Sequence, residues 1–153
     1  MVFKIKDRLQ LYMVIIIKKI LVPLDGSPNS FRGLDVAINM ARQCHATITG
    51  LYVVGITKPR INEQIGPLEK LLLEHAQKIM KKAKLTAAKK GVLFFDTVSY
   101  GDDEKRIVDI AKRKNFDLIV IGSRGMGAAK EIFLGSTSNY VLHKSKKPVL
   151  IVK

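Results

Sequence analysis

Hydrophobic positions along this chain fall into two alternating arrangements, short continuous apolar runs and longer stretches with apolar residues every three or four positions. The first run covers residues 15–24, where Ile15-Ile16-Ile17 and Ile20-Leu21-Val22 are β-branched or aliphatic, the pattern of a strand covered on both faces. Pro23-Leu24-Asp25-Gly26 ends it, and Ser27 followed by Pro28 supplies an N-cap and a first helical residue. Phe31, Leu34, Ile38 and Ala41 then give that helix one apolar face. A second strand is predicted over 46–54. A long helix is predicted over 67–90, with Leu72, Ala76, Ile79, Ala83 and Ala87 as its buried stripe and Gly91 as its stop. A third strand follows over 92–100. Asp102 caps a helix carrying Ile107, Ile110 and Ala111, which Asn115 ends, and residues 116–122 form a fourth strand. Gly135-Ser136 opens a last helix reaching Lys144, and residues 148–152 close the chain as a fifth strand. Strict alternation of strand and helix requires a crossover at each step, so the expected class is α/β, an open five-stranded parallel sheet with helices on both faces.

No repeat, linker or low-complexity tract divides the 153 residues, so residues 13–153 are expected to form a single domain, with residues 1–12 as an arm outside it. Met13 is an alternative start. The longest apolar run, from Leu11 to Ile17, is seven residues, whereas a membrane span needs roughly twenty. Lys4, Lys6 and Arg8 precede that run, but Lys18-Lys19 follow it at once and no small-residue cleavage site is present, so the chain reads as cytoplasmic. The one cysteine, Cys44, makes no internal disulfide and no thiolate zinc site by itself, and is expected to be a buried small hydrophobe. Lys plus Arg number 27 against 13 Asp plus Glu, a net charge of +14 that favours anionic partners.

In an open parallel sheet a ligand binds beyond the carboxyl ends of the strands, where the winding reverses. That places Pro23, Leu24 and Asp25 opposite Gly122-Ser123-Arg124-Gly125, with Gly135-Ser136-Thr137 opening the last helix nearby. Glycines let the main chain approach phosphate oxygens, the helix start offers free N–H groups, and Ser136 and Thr137 add hydroxyls. Each of these residues also has a plainer use: the glycines turn the chain, the hydroxyls cap the helix, Asp25 caps a turn, and Arg124 points to water instead of phosphate. The position of the group on a basic protein favours a phosphate cradle. No glycine is followed by lysine, which excludes a Walker A loop, and Gly125-x-Gly127 lacks the third glycine of a dinucleotide fingerprint. His45, His75 and His143 are dispersed, and no Gly-x-Ser-x-Gly elbow exists, so no catalytic group is assigned. Lys78, Lys81, Lys82, Lys84, Lys89 and Lys90 make the long helix basic. This is either a solvated face or a surface for nucleic acid, although no tryptophan or aromatic ladder supports base stacking.

The spacing Gly122-x2-Gly125-x9-Gly135-Ser136 before a Pro-Val-Leu-Ile-Val strand, together with Ile20-Leu21-Val22-Pro23-Leu24-Asp25-Gly26-Ser27, resembles the universal stress protein family over residues 18–153. The resemblance implies a three-layer α/β/α fold with strand order 3-2-1-4-5 and a homodimer through the edge of the fifth strand. It also implies binding of ATP, or AMP or ADP, with Mg²⁺ or Mn²⁺. By position, Asp25 lies near ribose and metal, the main chain of Val53 meets adenine, and Gly122 approaches ribose. Gly125, Gly135, Ser136 and Thr137 hold the phosphates. Thr137 stands where an aliphatic residue is frequent, and Gly127 is an additional glycine. The implied role is a regulatory, stress-response nucleotide sensor, at most a slow ATPase. The alternative is a basic interaction module that binds nucleic acid or another polyanion without nucleotide.

Overall fold

The computed structural model describes residues 16–56, 66–126 and 134–153. The proposed arm, Met13 and Gly127 therefore lie outside the described residues. Five strands, β1 (Lys19–Pro23), β2 (Thr47–Val54), β3 (Phe94–Tyr100), β4 (Leu118–Gly122) and β5 (Val149–Val152), form one sheet in the order β3-β2-β1-β4-β5. Every pairing is parallel. Four helices connect them: α1 (Pro28–Cys44), α2 (Pro67–Lys89), α3 (Asp103–Arg113) and α4 (Ser136–Lys144).

Alternation along the central strands sorts the core into two layers. Ile20, Val22, Ile48, Leu118 and Val120 face Leu34, Ala37 and Ile38 of α1 and Ile79, Met80 and Ala83 of α2. Leu21, Leu51, Ile119 and Ile121 face Ile107, Ile110 and Ala111 of α3 and Val141 of α4. The result is the α/β/α sandwich expected from the sequence, reversing direction between β1 and β4. The buried stripe of α2 is Ala76, Ile79, Met80, Ala83 and Ala87. Leu72, expected in it, is only half buried.

Strand boundaries are shorter than the apolar runs. Lys18 and Lys19 both donate their main-chain N–H to Oδ2 of Asp117, at 2.9 Å each, so a side chain closes the start of β1 where the run predicted more strand. Phe116 and Val92 likewise belong to helix ends, since their N–H groups return to the carbonyls of Ala111 and Ala87. Asn115 and His45 take left-handed conformations, φ 50 and 51, in these terminating turns. Cys44 is partly buried against the larger core layer, short of the full burial expected.

Candidate functional site

The loop after β1 is shaped by its own side chains. Leu24 donates its N–H to the carbonyl of Leu51 (2.8 Å), carrying the chain one residue past the strand. Asp25 Oδ1 accepts from the N–H of Ser27 at 2.9 Å, and Gly26 between them has φ +91, which a side chain rarely tolerates. Ser27 Oγ accepts from the N–H of Ser30 (3.1 Å) while Ser30 Oγ donates to the Ser27 carbonyl (2.9 Å), and Pro28 takes the first helical position. The N-cap and proline signals in the sequence are realised as such.

On the other side of the switch point, the N–H of Ser123 donates to the carbonyl of Val152 (2.7 Å), and the carbonyl of Ser123 accepts from the N–H of Gly135 and the hydroxyl of Ser138, at 2.8 Å each. These bonds strap the start of α4 to the end of β4. The N-cap of α4, Gly135, carries no side-chain acceptor, so the first-turn N–H groups and the positive end of the helix dipole have no side-chain cap. Asp25 Oδ2 accepts from the N–H of Met126 (3.1 Å), joining the two loops across 101 positions of sequence.

Between these loops lies a cleft of about 480 Å³, within the size range of small-molecule sites. Pro23, Leu24, Asp25, Val53, Gly122, Arg124, Gly125, Gly135, Ser136 and Thr137, named for this site in the sequence, line it. Leu51 and Ile107 give it an apolar wall. Tyr52 also reaches the cleft; burial first, and the Asp25 carboxylate second, push its phenol above the usual 10.0.

The three cradle glycines differ in why they are glycine. A Cβ on Gly122 would lie 2.7 Å from the carbonyl carbon of Asn29 and 2.8 Å from its oxygen, so the packing of α1 on β4 demands glycine whatever the ligand. A Cβ on Gly125 would meet Asp25 Oδ2 at 2.7 Å. At Gly135 the nearest atoms, Arg124 Cα and Ser123 O, would be 3.4 and 3.5 Å away, ordinary van der Waals contact, so packing by itself does not demand glycine there.

Sequence reasoning missed Asp103 and Ser138. Asp103 follows β3, an edge strand away from the switch point, and reaches the cleft because the start of α3 lies beside the start of α4. There Thr137 Oγ1 donates to Asp103 Oδ2 at 2.9 Å. Thr137, assigned to phosphate, is thus already paired with a carboxylate. The tripeptide Asp102-Asp103-Glu104 at a strand's carboxyl end was the available signal. Ser138 is buried, and its hydroxyl-to-carbonyl bond was invisible in the sequence.

The histidines stay apart: His45 caps α1, His143 lies in the last turn of α4, and His75 packs against Tyr52 with ring centroids 6.2 Å apart. Among the described residues no three His, Cys, Asp or Glu side chains group as a metal site. Part of the lysine face of α2 is neutralised locally. Lys84 pairs with Asp96 (3.8 Å) and Lys90 with Asp35 (3.2 Å), and Lys82 lies 4.3 Å above the Phe31 ring. No helix among the described residues is long and apolar enough to cross a membrane.

Comparison with known proteins agrees with this geometry. The chain is 35% identical over 139 residues to universal stress protein MJ0531 of Methanocaldococcus jannaschii, covering 89% of this chain and 82% of that protein. Its structure is similar to universal stress protein UspA from Lactobacillus plantarum, with a TM-score of 0.78, 29% identity, and coverage of 89% and 97% of the two chains. At the level of fold it is also similar to the universal stress protein from Archaeoglobus fulgidus in complex with dAMP, with a TM-score of 0.70, 21% identity and coverage of 90% and 99%. Residues 17–153 match the universal stress protein family, and the chain belongs to it.

Proposed function

We propose that the cleft binds an adenine nucleotide, ATP or its mono- and diphosphate relatives, and that the protein acts as a regulatory, stress-response nucleotide sensor. The observation that carries this reading is the convergence of the β1 loop, the end of β2, the β4 loop and the uncapped start of α4 on one cleft of about 480 Å³ at the switch point. The apolar wall at Leu51, Val53 and Ile107 suits a base. Gly125, Gly135, Ser136 and main-chain N–H groups, which also line the cleft, suit phosphate. A nucleotide complex of a protein with the same fold supports the assignment.

A divalent ion fits as part of the ligand. Each oxygen of Asp25 accepts one main-chain N–H and retains a further lone pair, so Asp25 can take one Mg²⁺ or Mn²⁺ contact without releasing either loop. One carboxylate plus ligand phosphates is the usual way Mg²⁺ is held, and the ion there would neutralise phosphate charge. Among the described residues both cleft carboxylates are engaged by donors, Asp25 by two main-chain N–H groups and Asp103 by the N–H of Glu104 and the hydroxyl of Thr137, which favours binding over turnover. β5 leaves one sheet edge unpaired with four half-buried aliphatic residues, and we place a homodimer contact there.

Calorimetric titration with ATP in Mg²⁺ and in EDTA tests the reading. Saturable binding, weakened at least tenfold in Gly135→Val, is the expected result; an undiminished affinity in that variant rejects the phosphate cradle. Light scattering on dilution checks the dimer.

A further inference from the structure

Asp103 is the first residue of α3 and lines the cleft. Its Oδ1 accepts from the N–H of Glu104, and its Oδ2 from Oγ1 of Thr137, both at 2.9 Å. Thr137 is the second residue of α4, the helix whose N-terminus has no side-chain cap. A carboxylate from one helix therefore sits against the first turn of another, bonded to the Thr137 hydroxyl, at the end where the helix dipole favours an anion.

Resting on the nucleotide reading above, we infer that Asp103 is a specificity-determining residue that sets a negative charge beside the first turn of α4 from within the chain and limits how much phosphate charge the cleft accepts. A ligand phosphate that reaches Thr137 must take its hydroxyl from Asp103 or bring negative oxygens beside the Asp103 carboxylate. The cost rises with ligand charge. It is greatest for a metal-free triphosphate, smaller for a monophosphate, and absent for an uncharged nucleoside. The other carboxylate of the cleft, Asp25, is committed to the N–H groups of Ser27 and Met126 and does not contact Thr137. Lys105, two residues on in α3, pairs with Asp102 Oδ2 at 3.2 Å, so its charge is directed to that neighbouring carboxylate. Asp103 is solvent-exposed, which screens the repulsion and sets its scale at a few-fold in affinity per removed charge.

The experiment titrates the full chain in EDTA with adenosine, AMP, ADP and ATP, comparing the wild type with Asp103→Asn. Asp96→Asn is the control, removing a carboxylate on β3 that pairs with Lys84 outside the cleft. Asp103→Asn is expected to tighten ATP and ADP by about three- to tenfold and AMP by less, and to leave adenosine unchanged. The control is expected to change none of them. An equal gain for adenosine and ATP, an equal gain in Asp96→Asn, or weaker ATP binding in Asp103→Asn overturns the inference while leaving the nucleotide reading intact. Failure of every ligand to bind wild-type protein overturns both.

Discussion

Gly125 and Asp25 are fitted to each other: the carboxylate lies so close against the glycine that a Cβ there would stand 2.7 Å from Oδ2, the oxygen that accepts from the N–H of Met126. The glycine in the β4 loop thus makes room for an aspartate of the β1 loop, in addition to any room it makes for a ligand.

Gly125→Ala is therefore expected to act through Asp25. It should cost about 1–2 kcal/mol of stability in the native background, the scale of a strained or lost charge-assisted hydrogen bond. In an Asp25→Ala background the same change should cost much less, giving a coupling of about 1 kcal/mol in a double-mutant cycle followed by urea denaturation. Additive costs would show that the two residues are independent.

Gly122→Ala places a methyl group against the main chain of Asn29, which moves only with α1. A loss of about 1–3 kcal/mol is expected from overpacking. Gly55→Ala meets nothing within 4 Å of the added atom among the described residues and should stay within about 0.5 kcal/mol of wild type. Thermal melts of the two variants side by side decide this.

Ser138→Ala removes the buried hydroxyl that ties the first turn of α4 to the carbonyl of Ser123. The carbonyl keeps the N–H of Gly135 as a donor, so the expected loss is about 1 kcal/mol, measured as a shift in the urea midpoint. Nucleotide affinity should fall in step, because the cradle is held by this bond. Unchanged affinity would place the strap outside the binding geometry.

Two phenols contribute to the alkaline limb of stability. Tyr52 is raised above 10.0 by burial and then by Asp25, and Tyr100 by its hydrogen bond to Glu69 Oε1 (2.9 Å), then by burial and the Glu69 charge. Above pH 10 the unfolded chain loses these protons first, so stability should fall as pH rises from the ordinary phenol value towards the raised ones. Below pH 10 both states hold the protons and no dependence arises from them. Tyr52→Phe with Tyr100→Phe should flatten that limb in denaturation curves taken across the alkaline range. A limb as steep as the wild type's would assign the titration to other groups.

Strand and helix order was legible because each element carries its own periodicity. Continuous runs such as Ile119-Val120-Ile121 need cover on two faces, and the Ser27-Pro28 pair starts a helix using atoms within three residues. Boundaries were less legible because a ladder needs partners: Phe116 looks like strand but donates to a helix carbonyl, and Lys18 is held by the side chain of Asp117. Asp103 was missed for a related reason, as nothing within its own segment shows that Thr137 stands beside it.

By itself the sequence determined a doubly covered parallel sheet and pointed to the loops after β1 and β4 and the start of α4, while Val53 entered only through the family resemblance. Periodicity, caps and glycine spacing are short-range properties written within one or a few turns of chain. Only the tertiary structure decided why Gly122 and Gly125 are glycine, that Asp25 engages the N–H of Met126, and that a second carboxylate rests on α4. Those outcomes depend on close approach between segments 34 to 101 positions apart, fixed when the helices pack on the sheet.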